Sequence, residues 1–169
     1  MSSEKTLILN KVQTLQKITR IAYEIYENNP KEKDIYLAGI FENGYRFTQI
    51  LKNELEKVAP FIVTLIRIDL DKLSPQQSNV QLDIDPAKLK NKTIILLDDV
   101  LNTGKTMAYS LKPFLNVSIK RLQTTVIVDR AHKNFPISAD YVGYSLSTSL
   151  KENIEVILDN EELLGVYIQ

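Results

Sequence analysis

The chain has 169 residues, 44% of them apolar and 25% charged, a size and balance suited to one globular domain with a sizeable core. Lysine plus arginine equal aspartate plus glutamate at 21 each, so no global field advertises a polyanionic partner. With no cysteine and one histidine, His132, the sequence excludes disulfides, thiolate metal sites, a cysteine nucleophile and any multi-histidine metal site.

The opening stretch MSSEKTLILNK lacks the long apolar run of a signal peptide, and no run approaches membrane-spanning length. A cytoplasmic location without a membrane partner is expected. Asn10, with Gln13 three residues on, forms a helix-capping box. Val12, Leu15, Ile18, Ile21, Ala22 and Ile25 then recur at helical spacing, and the helix should fade at Asn28-Asn29-Pro30. Residues 34–40 read as a short buried strand. Gly44 opens a second amphipathic helix, with Phe47, Ile50, Leu51, Leu55 and Val58 on one side.

Residues 61–70 are strongly β-forming. The segment 71–92, with Pro75 and Pro86, is the least regular, and a mobile loop is expected around 74–79. A strand over 93–97, a turn, and a helix from about 105 to 115 follow. Residues 124–129 read as another buried strand, 139–144 and 154–158 as short strands, and 163–168 as a last apolar piece. No repeat or linker divides the chain, so a single domain over 1–169 is expected. Strands alternating with helices predict an α/β fold, with a mainly parallel central sheet and helices on both faces.

Ligands on such sheets bind at the carboxyl ends of the strands. Three loops meet there: Phe41-Glu42-Asn43-Gly44, residues 98–106, and the stretch after Asp129. The second, in TIILLDDVLNTGKT, is the most informative. Packing explains its apolar run, but not two adjacent carboxylates followed by Thr103-Gly104-Lys105-Thr106. Gly104 permits a tight turn, the amides of a helix start face outward, and two hydroxyls and a lysine add donors, which together suit one phosphate group. Asp98 and Asp99 would repel that phosphate. As acceptor-only groups they suit ribose hydroxyls or the water shell of Mg²⁺. The combination calls for a sugar phosphate. A nucleotide-hydrolase P-loop is disfavoured, because Asp99 stands where its first glycine belongs. The plainer alternative is that the acids cap the next helix and Thr-Gly is only a turn.

LLDDVLNTGKT resembles the phosphoribosyl-pyrophosphate (PRPP) motif of the type I phosphoribosyltransferases. Along nearly its whole length the chain is similar to the uracil phosphoribosyltransferase and pyrimidine-operon regulator family, PyrR. The matching pieces include ITRIAYEIYENN, IYLAGI, VDRAHKNFPISADYVGYSLSTS and LLGVYIQ. The resemblance implies a type I phosphoribosyltransferase fold, with a core over about 30–130 and a small hood from the N-terminal segment and about 131–169. It implies transfer of the phosphoribosyl group of PRPP to a nucleobase, most simply uracil, with release of pyrophosphate. Catalysis there is positioning and charge stabilisation, with Mg²⁺ bound mainly through PRPP and water and no metal site built from protein ligands. The alternative it implies is an RNA-binding regulator of pyrimidine genes, or a PRPP or nucleotide sensor with little turnover. A homodimer is implied as well.

Carried over by position, Asp98 and Asp99 would hold the ribose hydroxyls. Val100, Leu101, Asn102, Thr103, Gly104, Lys105 and Thr106 would wrap the 5′-phosphate. The loop from Gly39 through Ile40, Phe41, Glu42 and Asn43 to Gly44 would bind pyrophosphate, and Asp129, Arg130 and Val142 would form the hood over the base. Arg20, His132 and Lys133, with Lys11 and Lys17, are the expected RNA surface. Tyr23, Tyr26 and Tyr36 are read as packing residues. At position 102 the 6-oxopurine enzymes of the superfamily carry Asp; Asn102 cannot accept a proton, which favours a pyrimidine.

Two departures from the family pattern are visible. The pyrophosphate loop usually reads Gly-Ile-x-Thr-Arg-Gly, whereas here Glu42 and Asn43 precede Gly44. Losing one charge-assisted contact costs about 1.5–3 kcal/mol, with Arg46 the nearest substitute. The family's Tyr-Arg-Asp-Asp run after residue 70 is also replaced, leaving Lys72 as the cation of that loop.

Overall fold

The computed structural model describes residues 4–76, 79–149 and 151–169. Its strands are β1 (Thr6–Leu9), β2 (Asp34–Ile40), β3 (Ile62–Asp69), β4 (Gln81–Leu82), β5 (Thr93–Leu101), β6 (Arg121–Asp129), β7 (Tyr141–Ser145), β8 (Ile154–Ile157) and β9 (Gly165–Ile168). The helices are α1 (Lys11–Asn28), α2 (Asn43–Val58), α3 (Lys105–Ser110) and α4 (Lys112–Leu115), with a 3₁₀ turn at Pro86–Leu89. Six strands form one sheet in the order β4-β3-β2-β5-β6-β7, parallel except for β4. The other three form a small antiparallel sheet, β1-β9-β8, which joins the two ends of the chain.

The strand period of two sorts the core. On β5, Ile95 and Leu97 join α1 and α2 on one face, while Ile94 and Leu96 join Met107 of α3 and Phe114 of α4 on the other. Both faces are thus covered, and β2 and β5, at the centre, read as continuous apolar runs. Tyr26 packs edge-on against Phe61, in keeping with a packing role.

The α1 capping box is present: Asn10 Oδ1 accepts from the Gln13 N–H, and Gln13 Oε1 from the Asn10 N–H, both at 2.9 Å. Its buried stripe is Thr14, Ile18, Ile21, Ala22 and Ile25. Val12, expected on that stripe, is 63% exposed. At 100° per residue it lies about 140° from the stripe's centre, so the sheet never reaches it.

The helix expected over about 105–115 is two short helices, because Pro113 supplies no N–H and disfavours helical backbone in the residue before it. The strand expected over 93–97 continues to Leu101, since the ladder to β6 holds through Asp98↔Val126, Val100↔Val128 and Leu101↔Asp129. Both acids therefore lie within the strand, not beyond it. β1 was hidden in the unmarked N-terminal stretch, and β4 and the 3₁₀ turn in the segment read as irregular. Part of the loop expected around 74–79, at residues 77–78, lies outside the described residues. Among the described residues, no helix is long and apolar enough to cross a membrane.

Candidate functional site

The site grows from the end of β5, flanked by β2 and β6. Asp98 is only 5% exposed. Its Oδ1 accepts from the Asp99 N–H at 3.0 Å and from Lys72 Nζ at 3.2 Å. Burial, reinforced by the neighbouring Asp99 carboxylate, pushes the Asp98 carboxyl up to about 8, and the single ammonium of Lys72 does not reverse that. Burial works against the Lys72 charge too, but Asp98 and Asp99 outweigh it and raise its pKa. Asp99 is half-buried: Oδ1 accepts from the Val100 N–H at 3.0 Å and Oδ2 from Asn43 Nδ2 at 2.9 Å.

The α2 start is pressed against this strand. A Cβ on Gly44 would lie 2.7 Å from the Leu97 carbonyl oxygen, so only glycine fits there.

Beyond the acids, the chain turns at Gly104, whose φ of 84° is left-handed. Of the turn's amides, that of Lys105 donates to Thr103 Oγ1 at 3.3 Å. Those of Thr103, Gly104 and Thr106 make no hydrogen bond among the described residues. The loop is braced from behind: the Thr103 carbonyl accepts from the Asn134 and Phe135 N–H groups at 2.8 and 3.1 Å, and the Leu101 carbonyl from the Arg130 N–H at 3.0 Å. The braced turn lines a cavity of about 220 Å³ with Lys72, Asp98, Asp99, Met107 and Ile154. Because α3 has only six residues, oriented loop amides matter more here than a helix dipole.

A second cleft, of about 450 Å³, opens on the other side of Asp99. The Phe41–Glu42 peptide bond on its rim is cis. Asn43, standing where the resemblance places an arginine, spends its amide hydrogens on Asp99 and on the Val156 carbonyl at 2.7 Å. Arg46 lies 3.6 Å from both Glu42 and Asp159, so the substitute cation is already flanked by carboxylates. The cleft is lined by Glu42, Asp99, Glu155 and Asp159 against Arg46 and Lys72. Lys5 pairs with Glu155 from outside.

A third cleft, of about 410 Å³, is bounded by Asn102, Thr103 and residues 130–134. Arg130 is 5% exposed and turned into the protein. It donates to Asn102 Oδ1 (2.7 Å), Thr148 Oγ1 (3.0 Å), and the carbonyls of Ser149 (3.3 Å) and Glu152 (2.5 Å). His132 Nε2 lies 2.6 Å from the Thr148 carbonyl. Asp129 Oδ1 accepts from the Ala131 N–H at 2.9 Å, and its Oδ2 lies 3.5 Å from Lys133.

Residues 98–106, the loop Phe41-Glu42-Asn43 with Arg46, and residues 130–134 therefore line three adjoining clefts, the first sharing Asn102 and Thr103 with the third and Lys72 and Asp99 with the second. Ile40 is buried and lines none of the three. Val142 does not join them. It pairs with Val126 well before the end of β6, packs half-buried against the core, and gives its carbonyl to Arg20 at 3.1 Å. Arg20 also donates to the Gly143 carbonyl (2.6 Å) and pairs with Glu24 (2.8 Å). Its guanidinium thus caps carbonyls on the open edge of β7 while the side chain stays exposed. Lys11 pairs with Glu161, and Lys17 stands over the Tyr144 ring.

Sequence reasoning missed Thr148, Ser149, Glu152, Ile154 and Val156. The last two lie on the small sheet, whose pairing of chain ends leaves no local motif, and the others come just before it.

A sequence profile of the phosphoribosyl transferase domain matches residues 6–160. The bifunctional protein PyrR of Bacillus pumilus is 36% identical over 97% of this chain and 98% of its own. That of Macrococcus caseolyticus is 34% identical over 98% and 99%. Among solved structures, the hypoxanthine phosphoribosyltransferase of Trypanosoma cruzi superposes with a TM-score of 0.77 at 17% identity, covering 96% of this chain and 95% of that one. A hypoxanthine-guanine phosphoribosyltransferase from Bacillus anthracis gives 0.72 at 18%, over 87% and 86%. These structural likenesses establish the fold. With the acid pair and glycine turn at the end of a central parallel strand, and with full-length relatives among the PyrR proteins, the chain belongs to the phosphoribosyltransferase family.

Proposed function

We propose that this chain transfers the 5-phosphoribosyl group of PRPP to a pyrimidine base, uracil in the first instance. A base nitrogen forms a bond to C1 of the ribose while the bond from C1 to pyrophosphate breaks. The observation that carries the reading is the union of the amides without partners at Thr103, Gly104 and Thr106 with the acidic side chains of Asp98 and Asp99 around one cavity. The amides seat the 5′-phosphate, and Asp99, the more accessible acid, accepts from the ribose hydroxyls. Holding the sugar by its phosphate and hydroxyls fixes C1 toward the third cleft, where the base would approach; that positioning supplies much of the rate.

Among the described residues no group of three or more metal-ligating side chains exists. Asp99, half-buried on the cavity wall, suits Mg²⁺ carried on phosphate oxygens and water and reached through the ion's water shell. When bound, the ion would neutralise the departing pyrophosphate. The chain's own contribution at that step rests on Lys72 and Arg46. The decisive assay mixes protein, PRPP, Mg²⁺ and uracil and follows UMP and pyrophosphate. No product with any common base rejects the proposal.

The four carboxylates of the second cleft favour a second reading, in which the chain binds a ribose phosphate or nucleotide as a regulator of RNA and turns over slowly. A filter-binding titration against a pyrimidine-operon leader RNA tests it. Binding should fall steeply with salt, and indifference to RNA at low salt removes it. Association into a homodimer belongs to both readings, and light scattering decides it.

A further inference from the structure

We propose that Asn102 selects the base as a donor-only group, and that buried Arg130 is the positioning residue that makes it so. The cleft would favour bases carrying a carbonyl oxygen, over those carrying an amino group, at the edge facing the loop. The inference rests on the sugar-phosphate reading of the neighbouring cavity.

A carboxamide has one accepting and one donating end. Asn102 spends its accepting end on the Arg130 guanidinium at 2.7 Å. Turning it over would set its NH₂ against N–H donors that cannot be deprotonated. Arg130 cannot swing away, because Thr148, Ser149 and Glu152 hold three of its other donors and it is 5% exposed. The Asn102 amide nitrogen makes no hydrogen bond among the described residues, and the residue lines both the strand-end cavity and the cleft of residues 130–134. Two N–H groups of fixed direction thus stand between the sugar pocket and the space beside it. A base offering an amino group there would oppose donor to donor, and sites built to hydrogen-bond a particular group discriminate strongly against its absence. Aspartate at this position would still pair with Arg130, but its second oxygen would present an acceptor.

The test compares affinities for UMP, CMP and ribose 5-phosphate by calorimetry, in the parent and in Asn102→Asp and Asn102→Leu. The UMP-to-CMP ratio is the readout, because any general effect of the substitution on the phosphate cancels in it. The parent should prefer UMP by about ten-fold or more, Asn102→Leu should bring the ratio near one, and Asn102→Asp should lower it below one. Arg130→Gln should also flatten the ratio while ribose 5-phosphate still binds, which a purely structural role would not do. Should that variant fail to fold, the two Asn102 variants decide, since the Asn102 side chain is exposed. Ribose 5-phosphate binding with equal affinity for UMP and CMP, or with a ratio unmoved by Asn102→Asp, overturns this inference alone. Failure of ribose 5-phosphate to bind the parent overturns the site reading beneath it.

Discussion

In the proposed site, the turn at residues 102–106 and the loop at residues 40–46 flank the same acid, Asp99, yet they would obtain their ligand chemistry in different ways. The first relies on main-chain amides held by a left-handed glycine and braced by the 130–135 segment. Its proposed binding power would be a property of backbone shape. The second would have to attract a highly charged leaving group with side-chain cations. There an asparagine replaces the arginine and Arg46 is shared between two carboxylates. Main-chain recognition survives sequence drift while the backbone keeps its path. Side-chain recognition is lost one substitution at a time.

Four substitutions would break or sharpen that contrast. The largest effect is expected from Gly44→Ala. On an exposed helix this change stabilises by up to about 1 kcal/mol. Here the added methyl meets the Leu97 carbonyl at 2.7 Å, so we expect destabilisation by about 2–4 kcal/mol in a urea titration. A neutral or stabilising result would mean that α2 is not pressed on β5.

Asp99→Asn should leave folding intact and weaken PRPP and ribose 5-phosphate binding by about ten- to a hundred-fold. Thermal melts with and without ligand report it, and equal ligand-induced stabilisation of variant and parent contradicts the assignment. Arg46→Ala should reduce pyrophosphate binding by about three- to ten-fold and spare ribose 5-phosphate. Equal losses for both ligands would show that the two compartments are not separate.

The smallest effect concerns pH. The Asp98 carboxyl rises from 3.8 to about 8 on folding, so the folded state holds the proton more tightly than the unfolded chain. Stability from this group is therefore full below the unfolded value and declines as pH rises from about 4 toward 8. Asp98→Asn should remove that slope, raising Tm by a few degrees at pH 8 relative to pH 5. A parallel pH profile in variant and parent would refute it.

Much of the central sheet was legible. Residues 34–40 and 61–70 announce themselves by apolar runs, and the box at Asn10 and Gln13 marked the start of α1. Where the reading slipped, the cause was position in three dimensions. Val12 has the right chemistry on the wrong side of its helix. Asp98 looked like a residue past a strand and is inside one, because β6 continues the ladder beside it. Val142 is half-buried against the core, and the exposed Arg20 also bonds carbonyls at a sheet edge, contacts that no local pattern announces.

What the sequence determined by itself was the chemistry of the strand-end turn, since glycine, hydroxyls and adjacent carboxylates have few alternative uses at such spacing. Which of those groups remain available was decided only by tertiary contacts. Arg130 takes the oxygen of Asn102, Asn43 and Lys72 engage the two acids, and Thr148, Ser149 and Glu152 hold Arg130 in turn. Such pairings join residues far apart in the chain. They depend on which loops the sheet order brings together, and no local pattern encodes that order.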